Sequence, residues 1–98
     1  MESYLVLITY QAKAGCRSRF VDAVKEAGIL EAIRQETGCK RYEYFYPAEQ
    51  VDAILLVEEW ESEYHQKAHM TQPHMADLMR LKAEYILSTT AETLHVQR

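Results

Sequence analysis

The 98-residue chain has little of what interrupts regular structure: three glycines and two prolines. It contains no linker, internal repeat or low-complexity segment, and with 48% hydrophobic residues its composition is globular rather than disordered. No glycine-rich phosphate loop is present. Two cysteines cannot supply a cysteine-pair zinc pattern. Cys16 and Cys39 flank a predicted helix of about 20 residues, about 30 Å long, which is beyond disulfide reach. Both read as small buried hydrophobes with free thiols, which points to a reducing compartment. No apolar run approaches the roughly 20 residues of a membrane span. The start, Met1-Glu2-Ser3-Tyr4, lacks the positive region of a signal peptide, so a cytoplasmic location is expected. The net charge is −4, with acids and bases interspersed and no basic stripe, which argues against nucleic acid.

What is present is alternation. Tyr4 to Gln11 predicts a strand with Tyr4, Val6, Ile8 and Tyr10 on one face and Leu5 and Leu7 on the other. Arg17 to Glu36 predicts one helix with Phe20, Val24, Ala27, Leu30 and Ile33 as its buried stripe, closed by Gly38 as a left-handed cap. Gly28 in its middle reads as a point of close packing on a strand. Lys40 to Tyr46 and Val51 to Trp60 predict a hairpin turned by Pro47 to Gln50. Ser62 caps a short helix to about Met70, and Pro73 opens another to about Leu87 with Met75, Leu78, Leu81 and Tyr85 inward. Thr89 to Val96 is a last, weaker strand.

The order β-α-β-β-α-β, with the second helix broken at Pro73, is the split βαβ, ferredoxin-like arrangement. The expectation is a single α+β domain over residues 1–98, with two helical units on one face of a four-stranded antiparallel sheet. The strands are apolar on both faces, so the second face needs cover as well. A second copy, packed sheet on sheet about a two-fold axis, is the economical cover.

The chemistry-bearing residues cluster late in the chain. His69 and His74 bracket the Pro73 junction, where the backbone bends and leaves a corner for a small molecule. Histidine alone changes charge near neutral pH without help, so such a corner can move protons. His69 is expected at the pocket rim as a general base, or else satisfied by a backbone carbonyl at its helix end. His74 stands in a first helical turn and either contacts substrate or caps. Glu61, His65 and His69 share a helical face, a spacing that can ligate a metal. However, Gln66 stands where the metalloprotease signature needs glutamate, and no physiological metal is expected. Tyr42, Tyr44 and Tyr46 form a stripe on one strand face and Trp60 closes the next strand. All four are candidate aromatic walls, or core.

Several pieces carry a family resemblance: Gly15 with Phe20, Glu36-Thr37-Gly38-Cys39 with Arg41-Tyr42-Glu43, Glu59-Trp60, and His69 with Pro73-His74. In this order and spacing the chain resembles the antibiotic biosynthesis monooxygenase domain proteins of the dimeric α+β barrel superfamily, from the first strand to the last helix. The resemblance implies oxidation of phenols or quinols by O2 without metal or flavin. Other branches isomerise phosphorylated autoinducer-2 or degrade haem. The haem branch has a tryptophan at the place of His69, a ligating histidine near Met79 and an asparagine near Ile8, none of which is present here.

The resulting expectation is a homodimeric, cofactor-independent monooxygenase acting on a small aromatic or quinol. His69 would be the base, and His74, Tyr42, Tyr44, Tyr46 and Trp60 would contact substrate. Two alternatives stand beside it. One is an isomerase of a small phosphorylated metabolite, which needs Lys40, Arg41 or Lys67 in the pocket. The other is a non-catalytic dimer that binds a small molecule.

Overall fold

The computed structural model describes residues 2–97. Its elements are β1 (Glu2–Ala12), α1 (Arg17–Glu26), α2 (Ile29–Arg34), β2 (Cys39–Phe45), β3 (Ala53–Trp60), α3 (Glu63–His69), α4 (His74–Tyr85) and β4 (Ile86–Gln97). The strands form one antiparallel sheet in the order β2-β3-β1-β4. This is the expected α+β, ferredoxin-like topology, with all helices on one face.

Register decides which side chains meet the helices. β1 and β3 pair Tyr4 with Trp60, Val6 with Glu58, Ile8 with Leu56 and Tyr10 with Ile54. Directly paired residues share a sheet face, and this set packs on Phe20, Val24, Ile29, Leu30, Ile33 and Leu78 to form the core. The opposite face carries Leu5, Leu7, Leu55, Val57 and Phe45, with Leu94 from the edge strand β4. Phe45 and Leu94 are exposed there and the three leucines of β1 and β3 are half-buried. Arg41, Glu43, Glu59 and Glu92 share that face, leaving an apolar centre among charged groups.

The last strand starts at Ile86, where the preceding helix was expected to continue, and the larger difference from the sequence reading lies in the first helix. The helix expected over 17–36 is two helices, because Gly28 has φ +76°. A Cβ on Gly28 would meet nothing within 4 Å, so its reason is backbone conformation and not close packing on a strand. That left-handed φ is cheap for glycine and costly for most other residues. α2 then ends at Arg34, and Gly38 takes its left-handed conformation (φ +84°) in the following turn rather than as the helix cap.

Candidate active site

Two clamps build the site. Ser62 caps α3, its hydroxyl accepting from the His65 N–H at 3.3 Å. The N–H of Glu61 donates to the Gly38 carbonyl at 2.8 Å and ties the turn after α2 to the start of α3. A Cβ at Gly38 would stand 2.4 Å from the His65 ring, so only glycine permits this approach. The turn held in this way carries Glu36, and it faces the last residue of α3, His69. Pro73, with φ −56°, starts α4 and sets His74 as its first residue.

Glu36 is the centre of the site. Its two carboxylate oxygens each lie 3.0 Å from Nδ1 of His69, and Oε2 lies 2.6 Å from Nε2 of His74. A carboxylate only accepts, so both imidazoles donate to it. That fixes neutral His69 as the Nδ1–H tautomer and neutral His74 as the Nε2–H tautomer. Side-chain exposure is 1% for His69, 8% for Glu36 and 21% for His74. His69 therefore forms the floor of the site and not its rim. Its ring lies 4.7 Å from that of Trp60 and 5.7 Å from that of Tyr42. Burial pushes its pKa below the ordinary histidine value, and the hydrogen bond it donates to Glu36 only partly opposes this.

Above this cluster opens a groove of about 650 Å³ bounded by Glu36, Thr37, Tyr64, His65, His69 and His74, with Gln35 and Gln72 at its edges. Among the described residues no lysine or arginine lines it. Its size is that of a small-molecule site.

Behind His69 a polar chain continues into the core. The Trp60 indole N–H donates to Oε1 of Glu58 at 2.9 Å, and Glu58 is 3% exposed. Burial raises the Glu58 carboxyl to about 7, with the Trp60 hydrogen bond opposing. Burial likewise pushes the Tyr42 and Tyr44 phenols up. The buried Tyr44 hydroxyl makes no hydrogen bond of ordinary geometry among the described residues.

The structure thus joins His69 and His74, and sets Trp60 and Tyr42 against His69 from the core side. Tyr44 lies a step further, edge-on to Tyr42 and Phe20. Tyr46 falls beyond β2, 44% exposed beneath the Arg17 guanidinium. None of Tyr42, Tyr44, Tyr46 or Trp60 lines the groove. His65 turns to the Ser62 hydroxyl, 2.7 Å from its Nδ1, and not toward His69's partners. Sequence reasoning gave no role to Glu36 or Glu58. Glu58 carries a signal, because it shares strand parity with the core residues Ile54, Leu56 and Trp60.

The antibiotic biosynthesis monooxygenase family model matches residues 3–81. The chain belongs to this family. Among solved structures, a conserved protein from Methanosarcina mazei superposes with TM-score 0.84 at 22% identity, covering 96% of this chain and 92% of that one. A protein from Shewanella oneidensis gives 0.84 at 20% identity, with 97% and 91% covered. One from Deinococcus radiodurans, assigned by name to the antibiotic biosynthesis monooxygenases, gives 0.82 at 17% identity, with 97% and 93% covered. These likenesses establish the fold. No curated protein matches the chain. No helix among the described residues is long and apolar enough to cross a membrane.

Proposed function

We propose that this family member oxidises a small phenol or quinol with O2, binding the ring in the groove and passing its hydroxyl proton to the His69–Glu36–His74 cluster. The observation that carries the reading is that cluster: two imidazoles share one nearly buried carboxylate at 2.6–3.0 Å on the floor of a groove of suitable size. Removal of the proton leaves an electron-rich phenolate that can itself reduce O2, so the reading needs no metal or flavin. For a phenol with a free para C–H, one oxygen atom enters the ring as the second quinone carbonyl. The other leaves as water with the hydroxyl and ring hydrogens, which balances the four electrons taken by O2; a quinol, with both para positions already oxygenated, gives two electrons and two protons to O2 and leaves the quinone and H2O2. Tyr64 supplies an aromatic wall.

The lining argues against the phosphorylated-metabolite isomerase. Lys40 and Arg41 border a separate depression with Arg34, and Lys67 pairs with Glu63 at 3.3 Å on the surface. A phosphate in the groove would meet the Glu36 carboxylate with no lysine or arginine among the described lining residues to offset it. The reading also takes a second copy on the open sheet face, and a cytoplasmic location in keeping with the free thiols of Cys16 and Cys39.

Amide spectra recorded during titration test the binding half of this reading. A menadione-type quinone should shift the signals of Gln35, Thr37, Ala68 and Gln72, and ribose 5-phosphate should not. Shifts with the sugar phosphate alone would turn the assignment to the isomerase.

A further inference from the structure

We propose that, within the cluster, His74 is the group that takes the substrate proton, that Glu36 is its positioning residue, and that His69 stays a neutral donor which locks Glu36 in place. The assignment rests on the functional reading above for the substrate, but its geometry does not.

Three observations distinguish the two imidazoles. The first is access: His74 is 21% exposed at the groove, whereas the His69 side chain is 1% exposed between Trp60 and Tyr42. A proton leaving a bound phenol reaches His74 without passing through packed rings. The second is tautomer. Nε2–H of His74 donates to Oε2 of Glu36 at 2.6 Å, which leaves Nδ1 of its neutral ring as the basic nitrogen. No described residue hydrogen-bonds to that Nδ1. The third is charge. Burial disfavours charge on His69, and so does a second positive group beside it. Both rings face the Glu36 carboxylate, so it is burial and the neighbouring charge that set them apart.

The arrangement follows the logic of an acid-oriented imidazole: a carboxylate holds one ring nitrogen so that the other is presented to substrate. Here a second imidazole holds the carboxylate as well. His69 donates to both oxygens of Glu36, so the carboxylate cannot rotate away when His74 becomes charged. The step itself is a proton transfer. The phenolic O–H bond breaks, its electron pair stays on the oxygen, and a new N–H bond forms at Nδ1 of His74. The Nε2–H bond to Glu36 persists.

Two measurements test the assignment. Long-range ¹⁵N–¹H spectra of the wild-type histidine rings, at a pH where both are neutral, report tautomers without any substrate. The expected pattern is Nε2–H for His74 and Nδ1–H for His69; an Nδ1–H tautomer at His74 overturns the proposal. Menadiol-dependent oxygen uptake then separates the roles. Glu36→Gln should lower kcat by at least ~10-fold with KM changed less than ~2-fold, and should mix the His74 tautomers. His74→Gln should lower kcat by ~10²-fold or more. A His74→Gln enzyme with wild-type kcat overturns the assignment, as does a Glu36→Gln enzyme that alters only KM. If the wild type consumes no oxygen with any quinol, the functional reading fails, and the tautomer spectra still decide the geometry.

Discussion

Trp60 and Glu58 stand two residues apart on the same face of β3, joined by a 2.9 Å hydrogen bond from indole N–H to carboxylate inside the core. Trp60 also lies against the ring of His69. The indole therefore separates two ionisable groups whose charged forms are both disfavoured by burial, one acid and one base. Their effects on stability run in opposite directions with pH.

Glu58 is raised from 4.5 to about 7 in the folded protein. Below pH 4.5 the group is protonated in both states and costs nothing. Its contribution to stability falls as pH rises through 7, by about 3 kcal/mol in all. Glu58→Gln keeps an oxygen that can accept from Trp60 and removes the charge. Urea titrations at pH 5 and pH 8 should show that variant gaining on the wild type far more at pH 8 than at pH 5. An equal gain or loss at both pH values would contradict the raised carboxyl.

His69 shows the opposite sign. Its folded pKa lies below 6.5, so its contribution is present above pH 6.5 and is lost as pH falls through the folded value. In the Glu58→Gln background this loss should appear by itself, as a decline in urea midpoint on acidification below pH 6.5. His69→Ala should abolish the decline. It should also lower stability by roughly 2–5 kcal/mol, because it opens a void against Trp60 and Tyr42.

Glycine substitutions should rank by contact. Gly28 and Gly38 both have positive φ, but only Gly38 has a neighbour, the His65 ring, inside van der Waals distance of a new Cβ. Gly28→Ala should cost about 1 kcal/mol from backbone strain. Gly38→Ala should cost more, and it should disturb the turn that carries Glu36. Thermal melts of the two variants make the comparison directly, and equal losses would deny the clamp.

The open sheet face should hold a second copy. Leu5, Leu7, Leu55, Val57 and Phe45 form its apolar centre, which a second sheet packed about a two-fold axis would cover. Light scattering at micromolar concentration should give twice the 11.4 kDa chain mass. Leu7→Lys should give the monomer. A monomeric wild type would remove this part of the account.

The sheet was legible in the sequence because period-two alternation in β1 and β3 is a strong local signal, and because Ser62 and Pro73 are local start signals for α3 and α4. The break at Gly28 was not legible. A glycine within a helical period either continues the helix at a cost or ends it, and only the three-dimensional path decides. The histidine pair could be found from its spacing around Pro73. Glu36 could not, because its chemistry comes from contacts 33 and 38 residues along the chain. The tyrosine stripe misled in part: Tyr46 continues the alternation of Tyr42 and Tyr44, but β2 ends at Phe45.

The central claim is that this chain's own His69–Glu36–His74 cluster supports oxidation of a phenol or quinol. An oxygen electrode tests it most directly, with chelator-treated protein and menadiol as the reductant. The account predicts uptake above the uncatalysed rate, reduced by about 10²–10⁴-fold in His74→Gln. Uptake no faster than without protein, across a panel of quinols and phenols, would contradict it.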